Sequence, residues 1–172
     1  HSEADKFSMS GKWFYTPDDN SYRIGLIARH YETEAQEPGY LSEEDARHHP
    51  SMTNSYNATD KGTRRMNQVS VHFDTEVSET LAWSAKTYLN TFDDRRWTQY
   101  WRTSSQQERD AYETQYGALT SLTWRPEVSW LYNFALEGGA DIQRQQNQSE
   151  RYRTKDRARQ AQTRDQQFDF DT

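Results

Sequence analysis

Cysteine is absent from the 172 residues, which removes disulfides and thiolate metal sites. Long apolar runs are absent too: nothing approaches the roughly 18 consecutive apolar residues that a membrane-crossing helix requires. Hydrophobic residues make up 32% of the chain and mean hydropathy is strongly negative, a balance usual for a heavily solvated or partly disordered protein. A β-strand that crosses a bilayer stays open, because it needs only about 9–11 residues with every second one apolar. The net charge of −6 argues against general nucleic-acid binding. No G-x-S-x-G elbow, H-E-x-x-H pair or P-loop occurs, so no catalytic residue is expected and the chain reads as a non-enzyme. It begins HSEADKF, with neither an initiator Met nor a signal peptide. We read it as a piece of a longer protein, so missing targeting signals carry no information about location.

Against this polar background stand 6 Trp, 11 Tyr and 7 Phe, large rings that favour burial against an apolar surface. They recur with period two in six segments, which predicts strands with one apolar and one polar side. The apolar positions are Phe7, Met9, Gly11, Trp13 and Tyr15; Tyr22, Ile24, Leu26 and Ala28; and Val69, Val71 and Phe73. They continue with Leu81, Trp83, Ala85, Thr87 and Leu89, then Tyr116, Ala118, Thr120, Leu122 and Trp124, then Trp130, Tyr132, Phe134, Leu136, Ala140 and Ile142.

Three connections are short, TPDDN (16–20), TEVSE (75–79) and RPEVS (125–129). They alternate with long polar ones at 33–63, 102–113 and from 145 onward. Tight turns on one side and extended loops on the other are how an outer-membrane barrel joins its strands. Apolar-face rings flank every short turn, as expected of an interfacial girdle: Trp13, Tyr15 and Tyr22; Phe73 and Trp83; Trp124, Trp130 and Tyr132. From Tyr116 to Trp124 a strand tilted by about 40° rises roughly 20 Å, near the ~25 Å apolar band of such barrels. The expected fold is therefore all-β, an antiparallel up-and-down transmembrane barrel fragment of about six strands. A soluble β-sandwich that binds ligands is the alternative, although loops beyond about 12–15 residues are uncommon in a small domain.

The segments PGYLSEEDA (38–46), DKGTRRMNQVS (60–70), YLNTFDDRRW (88–97), YGALTSLTWRP (116–126) and EGGADIQRQQNQSERY (137–152), in this order, resemble barrel segments of TonB-dependent outer-membrane receptors. The likeness is to the ferric-siderophore and ferric-citrate branch, and it runs over essentially the whole chain, 1–172. It implies a partial receptor barrel domain of a bacterial outer membrane, part of a 22-stranded wall whose remaining strands and plug lie outside this chain. It also implies active import: a ferric chelate bound by outer loops and plug, TonB engaging the plug region, and lipid and lipopolysaccharide around the wall. No cofactor is implied, since the ferric siderophore is cargo. A passive porin-like channel would show a similar strand pattern and remains the alternative within this class.

Anionic chelates suit arginine forks flanked by aromatic or polar groups. The candidate ligand-binding residues are Arg64 and Arg65, Arg95 and Arg96 with Tyr100, and Arg151 with Tyr152. Pairing of these arginines with lipopolysaccharide phosphates, or with local acids such as Asp93 and Asp94, is the competing reading. His48 and His49 are adjacent and so ill-placed to share a metal; a solvated loop is expected there. The C-terminal run RYRTKDRARQAQTRDQQFDFD mixes charges and reads as a solvated outer loop rather than a nucleic-acid surface.

Overall fold

The computed structural model describes residues 3–37, 39–128, 130 and 133–172. The described residues form seven strands: β1 (Ala4–Tyr15), β2 (Tyr22–Gln36), β3 (Lys61–Ser78), β4 (Leu81–Thr98), β5 (Gln106–Trp124), β6 (Leu136–Lys155) and β7 (Ala158–Asp171). Each pairs antiparallel with its neighbours in sequence, giving one up-and-down sheet in the order β1 to β7. A short helix, α1 (Glu43–His48), and a 3₁₀ turn (Ser55–Asn57) lie in the β2–β3 connection. Ser42 caps α1 by accepting from the Asp45 amide at 3.1 Å, and His48 Nδ1 lies 3.0 Å from the Glu44 carbonyl.

No second sheet covers the first among the described residues, so the sandwich alternative is not the observed fold. No hydrophobic side chain is buried among them either; the buried residues are Gly25 and the polar Asn57, Asp60, Thr98, Gln106, Glu108 and Thr154. Register explains where the apolar side chains go. Trp13, Leu26, Val71, Thr87, Ala118 and Ile142 stand opposite one another across β1–β6 on a single face, and Gly11, Ala28, Val69, Leu89 and Tyr116 form the next row. The row beyond is Met9, His30, Asn67, Thr91, Thr114 and Gln146. There Asn67 joins His30 Nδ1 at 2.7 Å and Thr91 Oγ1 at 3.0 Å, so the apolar face ends within one row at a polar ladder.

At the opposite margin of this band Trp13, Tyr15, Tyr22, Phe73 and Trp83 form an unbroken chain of ring contacts, with centroids 5.3–6.3 Å apart. The flanking of the first two short connections by apolar-face rings is thus a contact network across four strands. On the other face, polar side chains cross-link the strands: Ser84 to Ser121 at 2.8 Å, Asn90 to Gln115 at 3.0 Å and Tyr88 to Gln143 at 2.8 Å. The Tyr88 bond spans two strands because Gly117 lies between them; a Cβ there would sit 2.8 Å from the Tyr88 hydroxyl. Phe14, the one ring of β1 on this polar face, lies over Gly25 with the Arg23 guanidinium 4.2 Å from its centroid.

The structure corrects the expected boundaries. There are seven strands, not six: the C-terminal run read as a loop is β7, and the loop expected from 145 onward is the second half of β6. The 102–113 loop shrinks to 99–105, and the 33–63 loop to 37–60. Strict alternation of short and long connections fails at the last pair. Residues 156–157 form a two-residue turn, with Asp156 and Arg157 at φ 48° and 68°, the left-handed pair that a tight hairpin of right-twisted strands demands. The expected tight corner at 125–129 is instead a connection over 125–135, and β6 starts at Leu136, so Trp130 and Phe134 precede the strand. Ser129 and Tyr132, assigned above to that corner and strand, lie outside the described residues. One physical cause underlies most of these differences. From Gln106 to Tyr116, roughly 33 Å of strand, both faces are largely polar, so β-structure persists without the hydrophobic alternation that would announce it.

Candidate functional site

The polar extensions of β3 to β7 carry the arginines that the sequence singled out. Because opposed residues of an antiparallel pair share a face, register divides them into two groups. Arg64, Arg96 and Arg151 continue the polar face, whereas Arg65, Arg95 and Tyr152 continue the apolar one.

On the latter face the arginines are absorbed by local carboxylates. Arg65 Nη2 donates to Glu32 at 2.7 Å, and that bond holds the Glu32 carboxyl below its ordinary range while raising the guanidinium. Arg95 donates twice to Asp110, at 3.1 and 2.7 Å. Arg159 donates to both oxygens of Glu108, which is only 2% exposed, and to Asp110. This fork on Glu108 raises the Arg159 guanidinium pKa, and the ring of Tyr152 lies 4.0 Å beneath its centre. Tyr152 in turn donates to Glu150 at 2.9 Å, which pushes the phenol up. The arrangement fastens β4, β5 and β7 to one another by charge-assisted bonds, and β6 joins through the Tyr152 ring and Glu150, 4.0 Å from Arg159.

On the polar face the pattern changes along the sheet. Arg64 Nε donates to Asp94 at 3.0 Å, and Arg96 Nε to Glu37 at 2.6 Å; the Glu37 bond raises the Arg96 pKa. Beyond them Arg96, Arg109, Arg151 and Arg164 stand directly opposite one another on β4, β5, β6 and β7. Arg109, Arg151 and Arg164 make no ion pair among the described residues. Partial burial, then the charges of Arg109 and Arg164, push the Arg151 guanidinium down. Tyr100, from the β4–β5 connection, lies beside this row with the Arg109 guanidinium 5.9 Å from its centroid. Arg109 and Arg164 were missed in the sequence. Each sits in a stretch read as loop, and only the pairing register aligns them with Arg151.

The connections at this end of the sheet are tied by buried polar groups. Asp60 accepts from Asn57 Nδ2 at 2.8 Å, from the Gln99 amide at 2.7 Å and from Gln106 Nε2 at 2.8 Å. Gln106 Oε1 then accepts from Thr154 Oγ1 at 3.1 Å and from the Arg157 amide at 2.9 Å. All three connections at this end of the sheet, 37–60, 99–105 and 156–157, therefore meet at one knot. No His, Asp or Glu grouping suited to a metal ion occurs among the described residues.

No family model matches the sequence, and no curated protein matches it. The fold is similar to that of a solved structure, the ferric citrate transporter FecA in the unliganded form, with a TM-score of 0.74 and 14% sequence identity. The match covers 95% of this chain and 24% of that one, and at this identity the likeness is one of fold.

Proposed function

We propose that this chain forms part of the wall of a bacterial outer-membrane transport barrel of the TonB-dependent receptor type, one that imports ferric chelates. The observation that carries the reading is the sheet itself. One face is apolar, unburied and bounded by an aromatic chain on one side and a polar ladder on the other, the other face is mostly polar with Phe14, Ile27, Leu119, Phe168 and Phe170 among its apolar members, and the fold is like that of FecA. An apolar face of this width is stable in contact with acyl chains, and a polar face opposite it belongs to a wet interior.

In this reading the chain has no chemical step to perform. A ferric chelate arrives with its metal already wrapped, so the wall contributes recognition rather than metal ligands. Arg64, Arg96, Arg151 and Tyr100 lie on or beside the polar face and are the residues proposed to meet the chelate. Arg65, Arg95 and Tyr152 lie on the opposite face, where contact with lipopolysaccharide suits them better. A plug engaged by TonB belongs to the same proposal and supplies the directionality.

The test is uptake of radiolabelled ferric citrate and ferric hydroxamates by cells that express the full-length protein, with and without TonB. Accumulation that requires TonB is expected; equal uptake in its absence would remove the active mechanism. Conductance of the purified protein in planar bilayers without any chelate separates the two transport readings, because a porin-like channel conducts openly and a plugged receptor does not.

A further inference from the structure

Arginines directly opposed on neighbouring strands repel one another and destabilise the pairing. This protein nonetheless aligns Arg109, Arg151 and Arg164 on three successive strands, although its net charge of −6 supplies acids in excess. Other arginines in the same region are neutralised: Arg64 by Asp94, Arg65 by Glu32, Arg95 by Asp110 and Arg96 by Glu37. Asp94, one row from Arg96 on this face, and Glu37, in the β2–β3 connection, are thus already held. Arg153, two residues along β6 from Arg151 and on the same face, adds a further charge without an ion-pair partner among the described residues.

The backbone supports the row. A register shift between β6 and β7 falls directly after the Arg151–Arg164 pair, and Thr163 Oγ1 donates to the Arg151 carbonyl at 3.1 Å. Irregularities of this kind end or re-aim a pairing while holding the neighbouring side chains in place. Adjacent strands lie about 4.8 Å apart, so the three guanidinium stems rise from a line of backbone roughly 10 Å long.

We propose that Arg109, Arg151 and Arg164, with Tyr100 at their side, form a binding row for a multiply charged oxyanion whose carboxylate or phosphate groups recur at about the strand spacing of 5 Å. Such an anion relieves the repulsion in the row and takes paired hydrogen bonds from each fork. The proposal rests on the reading of the polar face as the lining of a wet passage, and it adds to that reading two residues, Arg109 and Arg164, and a class of ligand.

The experiment measures binding of iron-free citrate and of tripolyphosphate to the full-length protein in detergent micelles by calorimetry, and of lipopolysaccharide vesicles to the same protein. Each of Arg109→Gln, Arg151→Gln and Arg164→Gln is expected to weaken binding of the soluble anions about tenfold, whereas Arg29→Gln, on the polar face of β2 away from the row, leaves it unchanged. Arg151→Lys, which keeps the charge and loses the fork, is expected to fall between wild type and Arg151→Gln. Arginine-dependent binding to the vesicles alone keeps the oxyanion row and assigns its ligand to a lipid headgroup. Unchanged affinity for all three probes in all three glutamine variants overturns the proposal, as does a lowered melting temperature in Arg151→Gln with affinity intact. Anion binding that persists in a protein lacking TonB-dependent uptake leaves the row standing and removes the import reading; the converse removes the row alone.

Discussion

At the residue scale, the charged side chains beyond the apolar band do two different jobs, and proximity to a carboxylate separates them. Glu32 and Arg65 illustrate the first. The Arg65 bond depresses the Glu32 carboxyl below 4.5, and His30 Nε2, 3.8 Å from Glu32, adds a smaller effect of the same sign. A depressed carboxyl stabilises the folded state fully above its unfolded value, and that stabilisation is lost as pH falls through the lower folded value. A ¹³C-detected titration is therefore expected to place the Glu32 midpoint below 4.5, and Arg65→Gln to return it toward the ordinary value. A wild-type midpoint at or above 4.5 would show that the pair does not form in solution. Arg109, Arg151 and Arg164 illustrate the second, the anion binding proposed above, since no ion pair among the described residues discharges them.

At the scale of elements, the long strands need something to hold their far ends, because neither face there excludes water by hydrophobic packing. Hydrogen bonding around Asp60 takes that role. Its carboxylate is 1% exposed and accepts from groups of the β2–β3 and β4–β5 connections and of β5. Gln106 carries the linkage on to β6 and the β6–β7 turn. Asp60→Ala would strand several buried donors, a loss of roughly 3 kcal/mol. The expected signature is local: amide exchange accelerates at 99–106 and 154–157 while residues 116–124 in the apolar band keep their protection. Uniform acceleration along β5 would mean that the knot and the sheet unfold as one unit.

At the scale of the whole molecule, the sheet has no interior of its own. Large rings such as Trp13, Trp83 and Trp124 are 57%, 38% and 47% exposed, far more than a water-soluble fold tolerates on one contiguous face. The proposed place in an outer-membrane wall supplies lipid as the solvent for this face. In single-tryptophan variants of the full-length protein reconstituted with brominated lipids, Trp13, Trp83 and Trp124 are expected to be quenched strongly. Trp101, in the β4–β5 connection and 72% exposed, is expected to be quenched weakly. Equal quenching at all four positions would place the apolar band somewhere other than in the bilayer.

The sequence by itself determined the class of the fold, the two faces of β1 to β5 within the apolar band, and the aromatic margin, because apolar and polar side chains alternate along a strand whose two faces differ in character, with Phe14, Ile27 and Leu119 among the exceptions. Tertiary structure alone decided what happens where both faces meet water. There period two fades from the side chains, so the far half of β6, the turn at 156–157 and most of β7 left no periodic trace, and the alternation of Phe168 and Phe170 with Asp169 and Asp171 is too short to announce the strand. It also decided which arginines share a face. Arg95 and Arg96 are adjacent in sequence yet point to opposite sides, while Arg109, Arg151 and Arg164, far apart in sequence, are brought into line by hydrogen-bond register, a property of strand pairs that no single segment possesses.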